Sequence, residues 1–143
     1  MIRKTLMSLL MGATLTVTLA GCFRPDPDTI AEFRNNTDFV IHVHFFYGDN
    51  QNTIEDLLEE TGQEVNLDVD PGATESIAVT CTELQAIFIE EAELDLGLGL
   101  GPETDTRVYR DGSDFGCGDT IRFTFTTNGL NTDLDVSFAQ NPE

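Results

Sequence analysis

The chain has 143 residues, with 26 Asp or Glu against seven Lys or Arg, for a formal net charge of −19. That is the length of one domain with a modest core. Its surface repels nucleic acid, whose recognition needs Lys and Arg on phosphates, and it repels anionic lipid headgroups. Acidity of this degree suits binding of cations or basic partners. It also suits solubility in a salty medium, where self-repulsion is screened beyond about a Debye length.

The first residues follow an export pattern. Arg3 and Lys4 form a positive start, Leu6 to Ala20 an apolar run, and Leu19-Ala20-Gly21 leads into Cys22. The run is too short and wrongly flanked for a stable transmembrane helix. Leu-Ala-Gly-Cys resembles the lipobox of bacterial lipoproteins, a resemblance confined to residues 1–22. It implies cleavage before Cys22, a diacylglycerol thioether on the Cys22 sulfur and a further acyl chain, such as palmitate, on the new amine. Two or more chains anchor a protein stably, at roughly 0.8 kcal/mol per buried CH₂. Asp after the lipidated Cys retains well-studied lipoproteins in the inner membrane. Phe23 stands there instead, so the resemblance favours the outer membrane over the inner. The expected organisation is a signal peptide over 1–21, a lipidated Cys and tether over 22–29, and one acidic domain over 30–143. Losing residues 1–21 removes Arg3 and Lys4, leaving no lysine and five arginines, a net charge of about −21.

Phe23-Arg-Pro-Asp-Pro-Asp28 reads as an extended tether reaching roughly 20 Å. Ile30–Arg34 is a short strand, and Asn35-Asn36-Thr37-Asp38 a turn. Phe39–Tyr47 alternates most clearly, with Phe39, Ile41, Val43, Phe45 and Tyr47 on one face and Val40, His42, His44 and Phe46 on the other. Thr53 is positioned to cap a short helix, with Ile54, Leu57 and Leu58 sharing a face and Gly62 stopping it. Val65, Leu67 and Val69 alternate, Asp70-Pro71-Gly72 turns the chain, and Ala73–Cys81 returns with Ile77, Val79 and Cys81 inward. Gln85–Glu93 fits either strand or helix; its β-branched residues and β-rich surroundings favour strand. Gly97–Pro102 is a loop, Arg107–Arg110 a short strand, Thr120–Thr127 a longer one. Asn128-Gly129 signals a hairpin whose return strand carries Leu134, Val136 and Phe138.

About eight strands with one short helix predict an all-β fold, a two-sheet antiparallel β-sandwich, immunoglobulin-like in outline but without the core Trp. With Cys22 assigned to lipid, Cys81 and Cys117 form an even pair in an oxidising compartment, which predicts a disulfide. Closing a 36-residue separation adds roughly 3.5–4 kcal/mol by chain entropy.

Two constellations invite a metal. His42 and His44 lie on one strand face, a spacing that can begin a Zn or Cu site if carboxylates complete it. Asp111, Asp114 and Asp119, pinned near Cys117, form an oxygen-rich loop of the kind Ca²⁺ takes, although the spacing is not that of an EF-hand. Asp49, Asn50, Asn52 and Asp56 are a weaker version. Gly97-Leu-Gly-Leu-Gly101 matches neither phosphate-binding pattern and has no cation nearby. No Gly-x-Ser-x-Gly is present, and no carboxylate pair stands out for acid–base work. The function expected is a non-catalytic, membrane-anchored envelope lipoprotein binding a partner protein or glycan. The alternative is a calcium-binding structural domain of the envelope. No other cofactor, and no nucleic acid partner, is expected.

Overall fold

Nine strands and one helix organise the described residues, 27–97, 101–128 and 131–140, of a computed structural model. In chain order they are β1 (Asp28–Asn35), β2 (Ile41–Gly48), α1 (Glu55–Thr61), β3 (Gln63–Val69), β4 (Thr74–Thr80), β5 (Ala86–Leu94), β6 (Glu103–Thr104), β7 (Tyr109–Arg110), β8 (Thr120–Asn128) and β9 (Asn131–Ala139). One sheet has the order β4-β1-β8-β9; the other runs β3-β2-β5-β6, with β7 also on β5. The chain is therefore a two-sheet sandwich with one short helix, as its alternating apolar pattern predicts.

The two sheets meet through side chains at alternate positions. Ala31 and Phe33 from β1, Ile121, Phe123 and Phe125 from β8, and Ile41, Val43 and Phe45 from β2 are all buried. Phe33 joins the layers: its ring centroid lies 4.7 Å from that of Phe45 in the opposite sheet and 5.2 Å from Phe123 beside it. Each such ring removed from water contributes about 1.5–3 kcal/mol.

β5 shows why its sequence reads ambiguously. Ala86 to Ile89 are all buried, because the strand is covered on both faces. Ile87 and Ile89 enter the main core, while Ala86 and Phe88 join Phe46, Leu58 and Val108 in a second cluster beneath α1. β2 then pairs across a bulge: Phe45 faces Ile89, His44 faces Glu91, and Glu90 is skipped in the ladder. The extra residue resets the phase, so that Ala92 and Leu94 point inward again.

Pairing is antiparallel throughout except between β1 and β8, which run parallel over Ile30↔Thr120 to Asn35↔Phe125. That departs from the wholly antiparallel sandwich expected. β1 lies inside the sheet, with β8 parallel on one side and β4 antiparallel on the other. Glu32 and Arg122, opposite each other in the parallel ladder, form an ion pair through Arg122 Nε. At the far end of β1, fully buried Asn35 donates from Nδ2 to the carbonyls of Phe39 (2.7 Å) and Val69 (2.8 Å). Its Oδ1 accepts from the Thr37 N–H at 2.8 Å. This one amide ties the two sheets together at that end.

Four local expectations are corrected. β2 begins at Ile41, and Phe39 lies outside it, 43% exposed, because the Asn35 side chain holds residues 37–39 as a turn. The helix is preceded by Ile54 and has no side-chain cap; Thr53 is buried, and its carbonyl accepts from Arg110 instead. Only Leu58 of the helix face is buried, with Ile54 and Leu57 outward. The strand at Arg107–Arg110 shrinks to Tyr109–Arg110, and β6, unforeseen, adds two residues to the same edge. The Asp70-Pro71-Gly72 turn forms as expected, closed by Ala73 N–H to Asp70 O, with Gly72 at φ +72° where L side chains are strained. Residues 98–100 of the glycine loop and 129–130 of the hairpin lie outside the described residues, although Asn128 and Asn131 pair as a hairpin requires.

Candidate functional site

Two parts of the molecule collect polar chemistry. The first is the pole where β1 and β8 both begin. Cys81, just after β4, and Cys117, just before β8, are joined by a disulfide with Cα atoms 5.1 Å apart. The chain enters the sandwich against this bond. The Pro27 carbonyl oxygen lies 2.8 Å from the Cys81 sulfur, and the Thr29 hydroxyl, fully buried, lies 3.5 Å from it. Thr29 Oγ1 also accepts from Gly118 N–H, and Ile30 N–H donates to the Asp119 carbonyl. Gly118 has φ +84°, and a Cβ there would stand 3.2 Å from the Pro27 ring, so glycine meets both a backbone and a space requirement.

The same pole carries Asp111, Asp114 and Asp119. Asp114 accepts two hydrogen bonds from Arg107, one from the Arg110 N–H at 2.9 Å and one from Ser113. The Arg107 guanidinium, itself 4.4 Å from the Tyr109 ring centroid, is the main reason the Asp114 carboxyl is held below its ordinary range. Asp119 turns inward to accept from Gly116 N–H at 2.6 Å. Asp111 contributes its N–H to the Gln85 carbonyl. Arg107 and backbone amides thus occupy the Asp114 carboxylate and one oxygen of Asp119. Among the described residues no group of three or more His, Cys, Asp or Glu is arranged to hold a metal ion. The weaker cluster is likewise a turn: Asn50 Oδ1 accepts from Asn52 N–H, and its carbonyl accepts from Thr53 N–H.

The second part is the outer face of the β3-β2-β5 sheet. His42 and His44 project from the middle strand into a shallow depression shared with Asn66, Asp68, Glu91 and Glu93. His42 Nδ1 lies 2.6 Å from Asp68 Oδ1 on β3, and its Nε2 is 3.7 Å from Asp95 Oδ2 beyond the end of β5. His44 Nε2 lies 3.0 Å from Glu64 Oε1 on β3, and its Nδ1 is 2.7 Å from Glu90 Oε2 at the bulge. Each imidazole therefore sits between carboxylates from opposite neighbours. The bond to Asp68 holds the His42 imidazole above its ordinary 6.5, against a smaller lowering from burial and with help from the charges of Asp68 and Asp95. Among the described residues the His42-x-His44 pair is not joined by a third ligand in a metal-holding group; the carboxylates instead lie at hydrogen-bond or ion-pair distance from the ring nitrogens.

Sequence reading found the two histidines on one face but not their partners. Glu64 and Asp68 sit at alternating positions of β3, and that alternation places them on the outer face. Which strands flank β2 is a property of the topology, and Glu90 reaches His44 only because of the bulge. Cys22 lies outside the described residues, and among those described no helix is long and apolar enough to cross a membrane.

No protein-family model and no curated protein matches the sequence. Among solved structures, an NMR structure of a protein from Eubacterium rectale aligns with a TM-score of 0.49 and 9% identity, covering 80% of this chain and 90% of that one.

Proposed function

We propose that the chain is a non-catalytic lipoprotein of the bacterial cell envelope, held by acyl groups on Cys22, whose acidic domain binds a partner protein or glycan. Phe23 after the lipid attachment point favours the outer membrane. The observation that supports this reading most is the way the chain enters the sandwich. Pro27 packs its carbonyl against the Cys81 sulfur and its ring against Gly118. An anchor at Cys22 would then be linked by a short tether to the covalently closed pole. Residues 22–27 reach roughly 20 Å when extended. The opposite pole, with Phe39, the Asp70-Pro71-Gly72 turn and Leu96, would face away from the lipid and towards a partner.

The test is expression of the full precursor in a bacterial host with lipoprotein processing. The wild-type protein should fractionate with membranes and carry acyl chains on an N-terminal Cys22 by mass spectrometry. Cys22→Ala should leave unprocessed or soluble protein. A mature chain that starts elsewhere, or an unmodified Cys22, refutes the anchor. Cross-linking in intact envelopes should recover a reproducible partner; self-links alone would argue against the binding role.

A further inference from the structure

We propose that the outer face of the β3-β2-β5 sheet is a proton-operated clamp: protonated His42 and His44 tie edge strand β3 to β5 across β2, and loss of those protons loosens β3.

The argument rests on the two nitrogens of each ring. A neutral imidazole has one N–H donor and one lone-pair acceptor, whereas the imidazolium has two donors. A carboxylate only accepts. His44 has a carboxylate oxygen within 3.0 Å of Nε2 and another within 2.7 Å of Nδ1. Either neutral tautomer would aim a lone pair at one of them. The charged ring alone satisfies both, and it links Glu64 on β3 to Glu90 on β5. His42 repeats the arrangement one pleat further along, bonded to Asp68 on β3 with Asp95 at ion-pair distance on the other side.

The surroundings make these two protons matter. Glu91 and Glu93 stand opposite His44 and His42 in the β2–β5 ladder, and Asn66 and Asp68 stand opposite them in the β2–β3 ladder. From α1, Glu59 feels both Glu90 and His44. The arginine ion pairs of the described residues lie elsewhere, at Asp114 and Glu32. When both rings are neutral, the face keeps its carboxylates and loses the cations between them. Like charges across adjacent strands are destabilising.

The strand that yields is β3. It is the end strand of its sheet, and of its inward residues, Val65 and Leu67 are only partly buried while Val69, at its end, is in the core. β5 cannot yield in the same way, because Ala86 to Ile89 are buried on both faces. The proton therefore sets the opening of one edge, not the stability of the sandwich.

Amide hydrogen exchange followed by NMR at constant ionic strength tests this, at about pH 5.5 and about pH 8.5, above the ordinary carboxylate range and spanning that of histidine. After correction for intrinsic exchange chemistry, the β3 amides bonded to β2 should be about three- to fivefold better protected at the lower pH, the scale of one or two exposed ion pairs. Amides of β8 should not change. In the His42→Gln/His44→Gln double variant, which keeps polar side chains of similar length that cannot be protonated in this range, the pH dependence of β3 should vanish. Flat β3 protection in the wild type overturns the proposal. So does a pH effect that survives in the double variant, or one shared equally by β8.

Discussion

The disulfide pole and the histidine face do the same job by opposite means. Both join neighbouring segments that the hydrogen-bonded ladders leave loosely held. At the pole, Cys81–Cys117 closes the chain covalently, and Pro27, Thr29 and Gly118 pack around the bond. On the face, His42 and His44 close β3 onto its neighbours with charges that half-exposed rings can gain or lose. A covalent link constrains the unfolded chain and is indifferent to mild pH. An exposed ion pair acts only in the folded state, is screened by salt, and contributes less than about 1 kcal/mol. The molecule is thus fixed at one end and adjustable along one side.

The largest effect should come from breaking the covalent end. Cys81→Ser with Cys117→Ser removes a link across 36 residues and should cost about 3.5–4 kcal/mol in denaturant melts. A loss under 1 kcal/mol would mean that packing around Pro27, not the bond, holds the pole. Next is Asp114→Asn, which leaves Arg107 without its counter-ion and should cost about 1–2 kcal/mol near neutral pH. Because Arg107 holds this carboxyl below its ordinary value, the contribution is present above that value and fades as pH falls through the folded one. Melts as a function of pH should show the wild type and variant converging in acid. His42→Gln is smaller, about 0.5 kcal/mol, and has the reverse sense. A raised imidazole value stabilises fully below 6.5 and ceases to do so as pH rises past the folded value. The variant should therefore differ from wild type in mild acid and match it in mild base; a constant difference would assign His42 to packing. The smallest effect is calcium. A filled site at hundredfold excess would add roughly 2.7 kcal/mol. About 1 mM Ca²⁺ in about 0.15 M NaCl should shift the melt negligibly, since ionic strength hardly changes. A shift of several degrees, lost in Asp111→Asn/Asp114→Asn, would reopen the loop as a cation site.

These contrasts also show what the amino-acid order alone makes legible. Period-two alternation in Ile41–Tyr47 and Thr120–Phe125 places Val43, Phe45 and Phe123 in the core, because burying one sheet face leaves few alternatives. Cysteine arithmetic finds the disulfide. Long-range choices leave weaker marks. Nothing in Asp28–Asn35 says that it lies between β4 and β8, and Asn35, which looks like turn chemistry, is a buried hub because its amide finds two carbonyls distant in sequence or across a turn. Asp111, Asp114 and Asp119 suggest calcium from spacing alone; that Arg107 folds back onto Asp114 is not written in that spacing. The pairing of His44 with Glu90 depends on a one-residue bulge that composition does not announce.

The central placement of β1 has a mechanical consequence. A pull on the segment before Asp28, resisted at the opposite pole, runs along the axis of β1. That strand is flanked by β4 over Asp28↔Thr80 to Arg34↔Thr74 and by β8 over Ile30↔Thr120 to Asn35↔Phe125. Tension along it loads both ladders in shear, so their bonds resist together and not one after another. β3, by contrast, sits at an edge and can be peeled from the side. Drawn by its N-terminal end, the sandwich is loaded first in the two ladders of β1, and β3 lies in the other sheet.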